Sequence, residues 1–129
     1  VVIEKGCSIS ENTNLNNTVI GAGSSIDSNC DITESIIWTN VKIGKNCRII
    51  NGIIASDCVI DDNSTIEDNV IIYSGSTVLG GDTVVGHDTI IGGNVWLTKS
   101  IPSYSVVYHE GKTVVRDSKK RPEPSDFVI

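Results

Sequence analysis

One period governs the first half of the chain, and it is seventeen residues long. Cut at that interval, the sequence reads VVIEKGCSISENTNLNN, TVIGAGSSIDSNCDITE, SIIWTNVKIGKNCRIIN and GIIASDCVIDDNSTIED, ending at Asp68. Three columns are almost pure. Ile3, Ile20, Ile37 and Ile54 fill the first, Ile9, Ile26, Ile43 and Ile60 the second, and Leu15, Ile32, Ile49 and Ile66 the third. Three apolar anchors per repeat, on runs too short for helical turns, predict three short strands separated by bends. Successive repeats then stack as the coils of a triangular parallel β-solenoid, with ladders about 4.8 Å apart and the anchors in a narrow central stack.

The bends carry matching chemistry. Asn12, Asn29, Asn46 and Asn63 recur at the same interval. Asn tolerates left-handed backbone angles, and its amide can bond the Asn above and below, so a structural corner ladder is expected. Cys7, Cys30, Cys47 and Cys58 each follow an anchor by four residues, a place taken elsewhere by Thr13, Ser24 and Ser64. They read as small, inward fillers. Only Cys30 and Cys47 share a column one coil apart, so neither a metal site nor a disulfide framework is expected. Free thiols and no recognisable signal peptide point to a reducing, cytoplasmic setting.

The beat stops after Asp68. A second register takes over in four blocks of six, YSGSTV (73–78), LGGDTV (79–84), VGHDTI (85–90) and IGGNVW (91–96), with Thr77, Thr83, Thr89 and Val95 at the fifth place. This predicts an eighteen-residue coil. Ile72 and Val78, or Tyr73 and Leu79, point inward at the junction; both members of each pair are apolar, so both registers stay open. Other statistics switch at the same place. Ten of eleven Asn lie at or before Asn69, all four Cys precede residue 59, and the acidic excess behind the net charge of -6 belongs to residues 1–68. The coincidence points to two sequences of different origin meeting near residues 60–70, a truncated or engineered chimera.

At 129 residues the chain holds one domain. Residues 1–99 are read as the solenoid and 100–129 as an extended closing loop and tail, where all three prolines and the KKR run at 119–121 lie. Net acidity argues against a nucleic-acid partner, and no apolar run is long enough for a membrane span. The KKR run reads as part of a solvated tail.

The hexads IGAGSSI, IGKNCRI, VGHDTI and IGGNVW resemble the hexapeptide-repeat family, over roughly residues 1–105. That resemblance, not the period, implies a left-handed helix. The stretch ESIIWTNVKIGKNCRIINGIIASDCVI (34–60) is similar to the C-terminal β-helix of sugar-nucleotide pyrophosphorylases and of the epsilon subunit of a translation-factor guanine-nucleotide exchange factor. Residues 66–110 resemble the C-terminal coils of bacterial serine O-acetyltransferases.

For those acetyltransferases the resemblance implies general-base activation of a hydroxyl by His, with acetyl-CoA in a groove between subunits. Its two His motifs are absent here. DDNST (61–65) stands where Arg-His-Pro is expected, and no Asp-His pair occurs upstream. His87 and His109 fall outside both positions and are read as surface residues. A His87–Asp88 relay is not expected, because neighbours in a strand point to opposite faces. Catalytic residues, a metal and a cofactor are therefore not expected. If acetyl-CoA binds, the resemblance places it on Ser74, Gly75, Gly92, Gly93, Asn94, Thr98 and Lys99.

Three functions are open: a non-catalytic assembly module, an acetyl-CoA-dependent O-acetyltransferase, and a protein-interaction fragment of the exchange-factor subunit. The first is preferred, with little reason to expect a small-molecule ligand. Tyr73, Trp96, Tyr104 and Tyr108 are aromatics of the kind enriched in interface cores. They predict a homotrimer held mainly through residues 69–110, unless they cover the end of the solenoid within one chain.

Overall fold

A computed structural model describes residues 1–109, and within them it has strands and bends but no helix. The tail expected over residues 110–129, with its KKR run, lies outside the described residues. Eighteen strands, most of two residues, form three parallel sheets, and each strand pairs with its equivalents one coil before and after. The sheets are the faces of a triangular prism. The first face starts at Val2–Ile3 and ends at Val106–Val107, the second runs from Ser8–Ile9 to Trp96–Leu97, and the third from Asn14–Asn16 to Val84–Val85.

The seventeen-residue columns are the registers of these ladders. Ile3 pairs with Ile20, Ile9 with Ile26, and Leu15 with Ile32. From Ile20 onward the anchors are buried and form one continuous core. The coils at the two ends of the described residues are more open: Ile3 is half exposed, and Ile101 and Val107 are only partly buried.

At the junction Ile72 and Val78 are the inward pair, fully buried, while Tyr73 and Leu79 face out. The expected eighteen-residue coil needs correcting. Ile54 pairs with Ile72 and Ile60 with Val78, eighteen residues on, but Ile66 pairs with Val85, nineteen on. Gly80 and Gly81 make this bend one residue longer, and Gly81 takes a φ of 90° that side chains resist. The block at 73–78 is likewise out of phase: Ser76, not Thr77, is the buried filler. Ile101 bridges to Val85 and Val106–Val107 pairs with Ile90–Ile91, so residues 101–107 are stacked on the prism.

The fillers behave as their size requires. Cys30, Cys47 and Cys58 are buried, and their thiols donate to the carbonyls of Gly44, Asp61 and Tyr73. Ser24 and Ser76 each donate to a carbonyl of the next coil and accept a backbone N–H from it. Every buried side-chain polar atom among the described residues has a partner. At the corners Asn12, Asn29, Asn46 and Asn63 all take φ between 57° and 61°, the left-handed region. The amide bond between stacked Asn is made from Asn46 to Asn63, at 3.1 Å.

Candidate functional site

Three surfaces of the prism bear on function. The first is the bend after the first face, where the acetyl-CoA residues were expected. Ser74 and Gly75 lie on one coil and Gly92, Gly93 and Asn94 on the next, with the Asn94 N–H donating to the Ser74 carbonyl at 3.0 Å. Gly75 is left-handed, at φ 75°, and a Cβ there would collide with the Asn94 side chain. Close stacking of the bend is thus sufficient reason for this glycine. Asn94, Thr98 and Lys99 line a cavity of about 310 Å³ together with Trp96, Tyr108 and His109. Ser74, Gly75, Gly92 and Gly93 lie outside its lining, so the structure brings three of the seven residues together.

The second surface surrounds His87, on the bend that follows Val84–Val85. Here the expectation for the histidine must be corrected. Its Nδ1 lies 2.7 Å from Asp88 Oδ2. The alternation rule fails because these residues are in a bend, with Asp88 at φ 55°, and not in a strand. Asn69 Nδ2 donates to the other Asp88 oxygen at 2.6 Å. That amide, and then the imidazole, hold the Asp88 carboxyl below its ordinary pKa. The His87 N–H donates to Glu67 Oε1 at 3.1 Å, and Tyr104 packs edge-on against the ring at 5.0 Å. His87 opens onto a cavity of about 510 Å³ lined also by Arg48, Ile50, Thr65, Glu67 and Asp68. None of these neighbours stood out in the sequence, because they meet only once coils 3 to 5 are stacked.

The third surface is the outside of the first face. The outward residues of its seven strands are Val2, Val19, Ile36, Ile53, Ile71, Ile90 and Val106, all apolar and all exposed or half-buried. Trp38, Tyr73 and Tyr108, each at least half exposed, flank this stripe. The second and third faces instead present Ser8, Ser25 and Lys42, and Asn14, Asp31 and Arg48, at corresponding places. The stripe was legible in principle as a second apolar column just ahead of the first anchor column. Trp96 and Tyr104 are largely exposed, Tyr104 lying against the His87 ring.

Among the described residues no group of His, Cys, Asp and Glu is arranged to hold a metal ion, and no helix is long and apolar enough to cross a membrane.

Comparison with known proteins gives a consistent picture of the fold. A family model described as the EIF2B subunit epsilon LbH domain, LbH denoting the left-handed β-helix, matches residues 1–81. Among solved structures, a histidine mutant of perosamine N-acetyltransferase from Caulobacter crescentus, in complex with CoA and GDP-perosamine, superposes with a TM-score of 0.79. Identity is 18%, over 84% of this chain and 53% of that one. PerB from the same organism, also with CoA and GDP-perosamine, gives 0.52 at 15% identity, over 84% and 54%. At such identities the likeness establishes the fold alone, and this chain spans about half the length of those structures. No match is found among curated protein sequences.

Proposed function

Because the chain belongs to the family of the EIF2B subunit epsilon LbH domain, we propose that it is a non-catalytic β-helical assembly module that associates with itself as a homotrimer through the first face of its prism. The observation that carries this reading is the unbroken apolar stripe from Val2 to Val106. Seven strands at about 4.8 Å make it roughly 29 Å long, and a contiguous apolar surface of that extent marks an interaction site. A flat face repeated in register at every coil suits a rigid copy of itself. Closed cyclic assembly uses such a face without leaving it open to further growth. The stripe spreads the contact over the whole prism, beyond residues 69–110.

The test is the solution mass, by light scattering during size-exclusion chromatography, at tens of micromolar chain. Three chains per particle are expected. Ile36→Glu with Ile53→Glu adds charge on the stripe without touching the core, and should yield monomers with an unchanged circular dichroism spectrum. A monomeric wild-type protein overturns the reading. A dimer would keep the interface and reject the trimer.

A second reading has one observation in its favour: Asn94, Thr98 and Lys99 share a cavity at the end of the second face. Solved structures of similar fold hold CoA or acetyl-CoA, and an acetyl-CoA-dependent O-acetyltransferase would place the cofactor there. Titrating the same sample with acetyl-CoA tests it. Saturable binding lost in Lys99→Ala would support this reading against the first.

A further inference from the structure

The third face is polar, and its cavity combines features that neither packing nor self-association requires. Arg48 sits on the strand Arg48–Ile50, Thr65 pairs beside it on the next coil, and Val84 follows on the coil after that. Val84 lies two ladder spacings from Arg48, about 10 Å, and His87 follows three residues later on the bend of that coil. The guanidinium makes no ion pair among the described residues. It offers a planar, bidentate donor set at one end of the cavity. At the other end, His87 Nδ1 is paired with Asp88, which leaves Nε2 for a ligand group, and Tyr104 packs edge-on against the ring.

Between these ends lie two carboxylates with capacity to spare. Glu67 Oε1 takes the His87 N–H and Asp68 Oδ1 takes the Asn51 amide, at 2.9 Å, so each retains an oxygen. Thr65 adds a hydroxyl and Ile50 an apolar wall. Carboxylates accept from O–H groups and an imidazole nitrogen hydrogen-bonds with them, while one unpaired guanidinium suits one anionic group. A sugar ring has hydroxyls at its rim and C–H groups on its faces, and a phosphate on one end gives it the single anionic group that Arg48 can take.

We propose that this cavity is a binding site for a sugar monophosphate, with the phosphate on Arg48, ring hydroxyls on Glu67 and Asp68, a hydroxyl hydrogen-bonded to His87 Nε2, and the ring face on Ile50. The site is independent of the first face, so it stands or falls apart from the trimer.

The two histidines make it measurable by NMR, since His87 lines the cavity and His109 does not. Glucose 6-phosphate titrated into the full chain should move the His87 ring signals saturably, with a Kd of about 1 mM or below, and leave His109 still. Glucose alone and inorganic phosphate alone should each bind about tenfold more weakly or worse. Arg48→Gln and His87→Gln should each weaken binding by a similar factor, His87→Gln being read on the phosphorus signal of the ligand. Lys42→Ala, on the second face, should leave it unchanged. Both variants replace outward side chains, and unchanged circular dichroism confirms the fold. The proposal is overturned if the His87 signals do not respond, if phosphate alone binds as tightly as the sugar phosphate, or if either cavity variant binds like the wild type.

Discussion

A left-handed residue at a bend sets up a local experiment. Asn46 has φ 57° and bonds Asn63. Asn46→Ala loses the amide bond, about 1 kcal/mol, and puts a residue without the Asn side chain's local hydrogen bonding in the left-handed region, at about 1 kcal/mol more. Asn46→Gly loses only the bond. Denaturant unfolding should therefore rank wild type above Gly and Gly above Ala, whereas equal stabilities for the two variants would mean that the backbone angle carries no cost. The ladder was legible because its period matched the anchors and because Asn is chosen for this angle. The His87–Asp88 contact was not, since the sequence does not say that Asp88 leaves the strand for a left-handed bend. Tyr104 at φ 62° is the same kind of surprise, an aromatic where Asn or Gly is usual.

Each coil is held by inward anchors that alternate with outward residues, and the two sets should respond differently to charge. Ile43 is buried mid-stack while its strand neighbour Lys42 is exposed. Ile43→Asp buries an unpaired carboxylate and should cost about 3 kcal/mol or more, with loss of structure in the adjoining coils. Lys42→Asp should stay within about 0.5 kcal/mol, the ordinary range for a surface change. Thermal melts of both variants check the assignment, and similar losses would contradict it. Up to Asp68 the coil could be phased from sequence because one residue of each strand pair was polar, as in Ser8–Ile9 and Lys42–Ile43, or because the repeat fixed it. Beyond that point Ile71–Ile72 and Val84–Val85 are apolar on both sides, and Val78 is followed by Leu79. Binary pattern then carries no phase, and the extra residue at Gly80–Gly81 is absorbed by a bend that leaves no mark in the hydrophobic rhythm.

Taken whole, the prism is a one-dimensional stack. Its rungs join residues 16 to 19 apart, as from Ile90 to Val106 and from Thr65 to Val84, and no coil touches one farther away than its neighbour. Stability is then a sum of interfaces between neighbours, and the ends should fray before the middle. Native-state hydrogen exchange should show the strongest protection around Ile54, Ile60 and Ile66, falling toward Val2, where the first coil is open. Equal protection along the chain would instead mean that the prism opens only as a unit. The same arrangement bears on how such chains can change over generations. The ladders Ile43–Ile60–Val78 and Ile49–Ile66–Val85 run straight through residues 60–70, where the sequence changes character, and the core there has no seam. A coil tests its neighbour only for three apolar positions and small corner fillers. Solenoid segments that keep these positions can therefore be joined at a coil boundary with their ladders unbroken, differences in coil length being taken up at the bends.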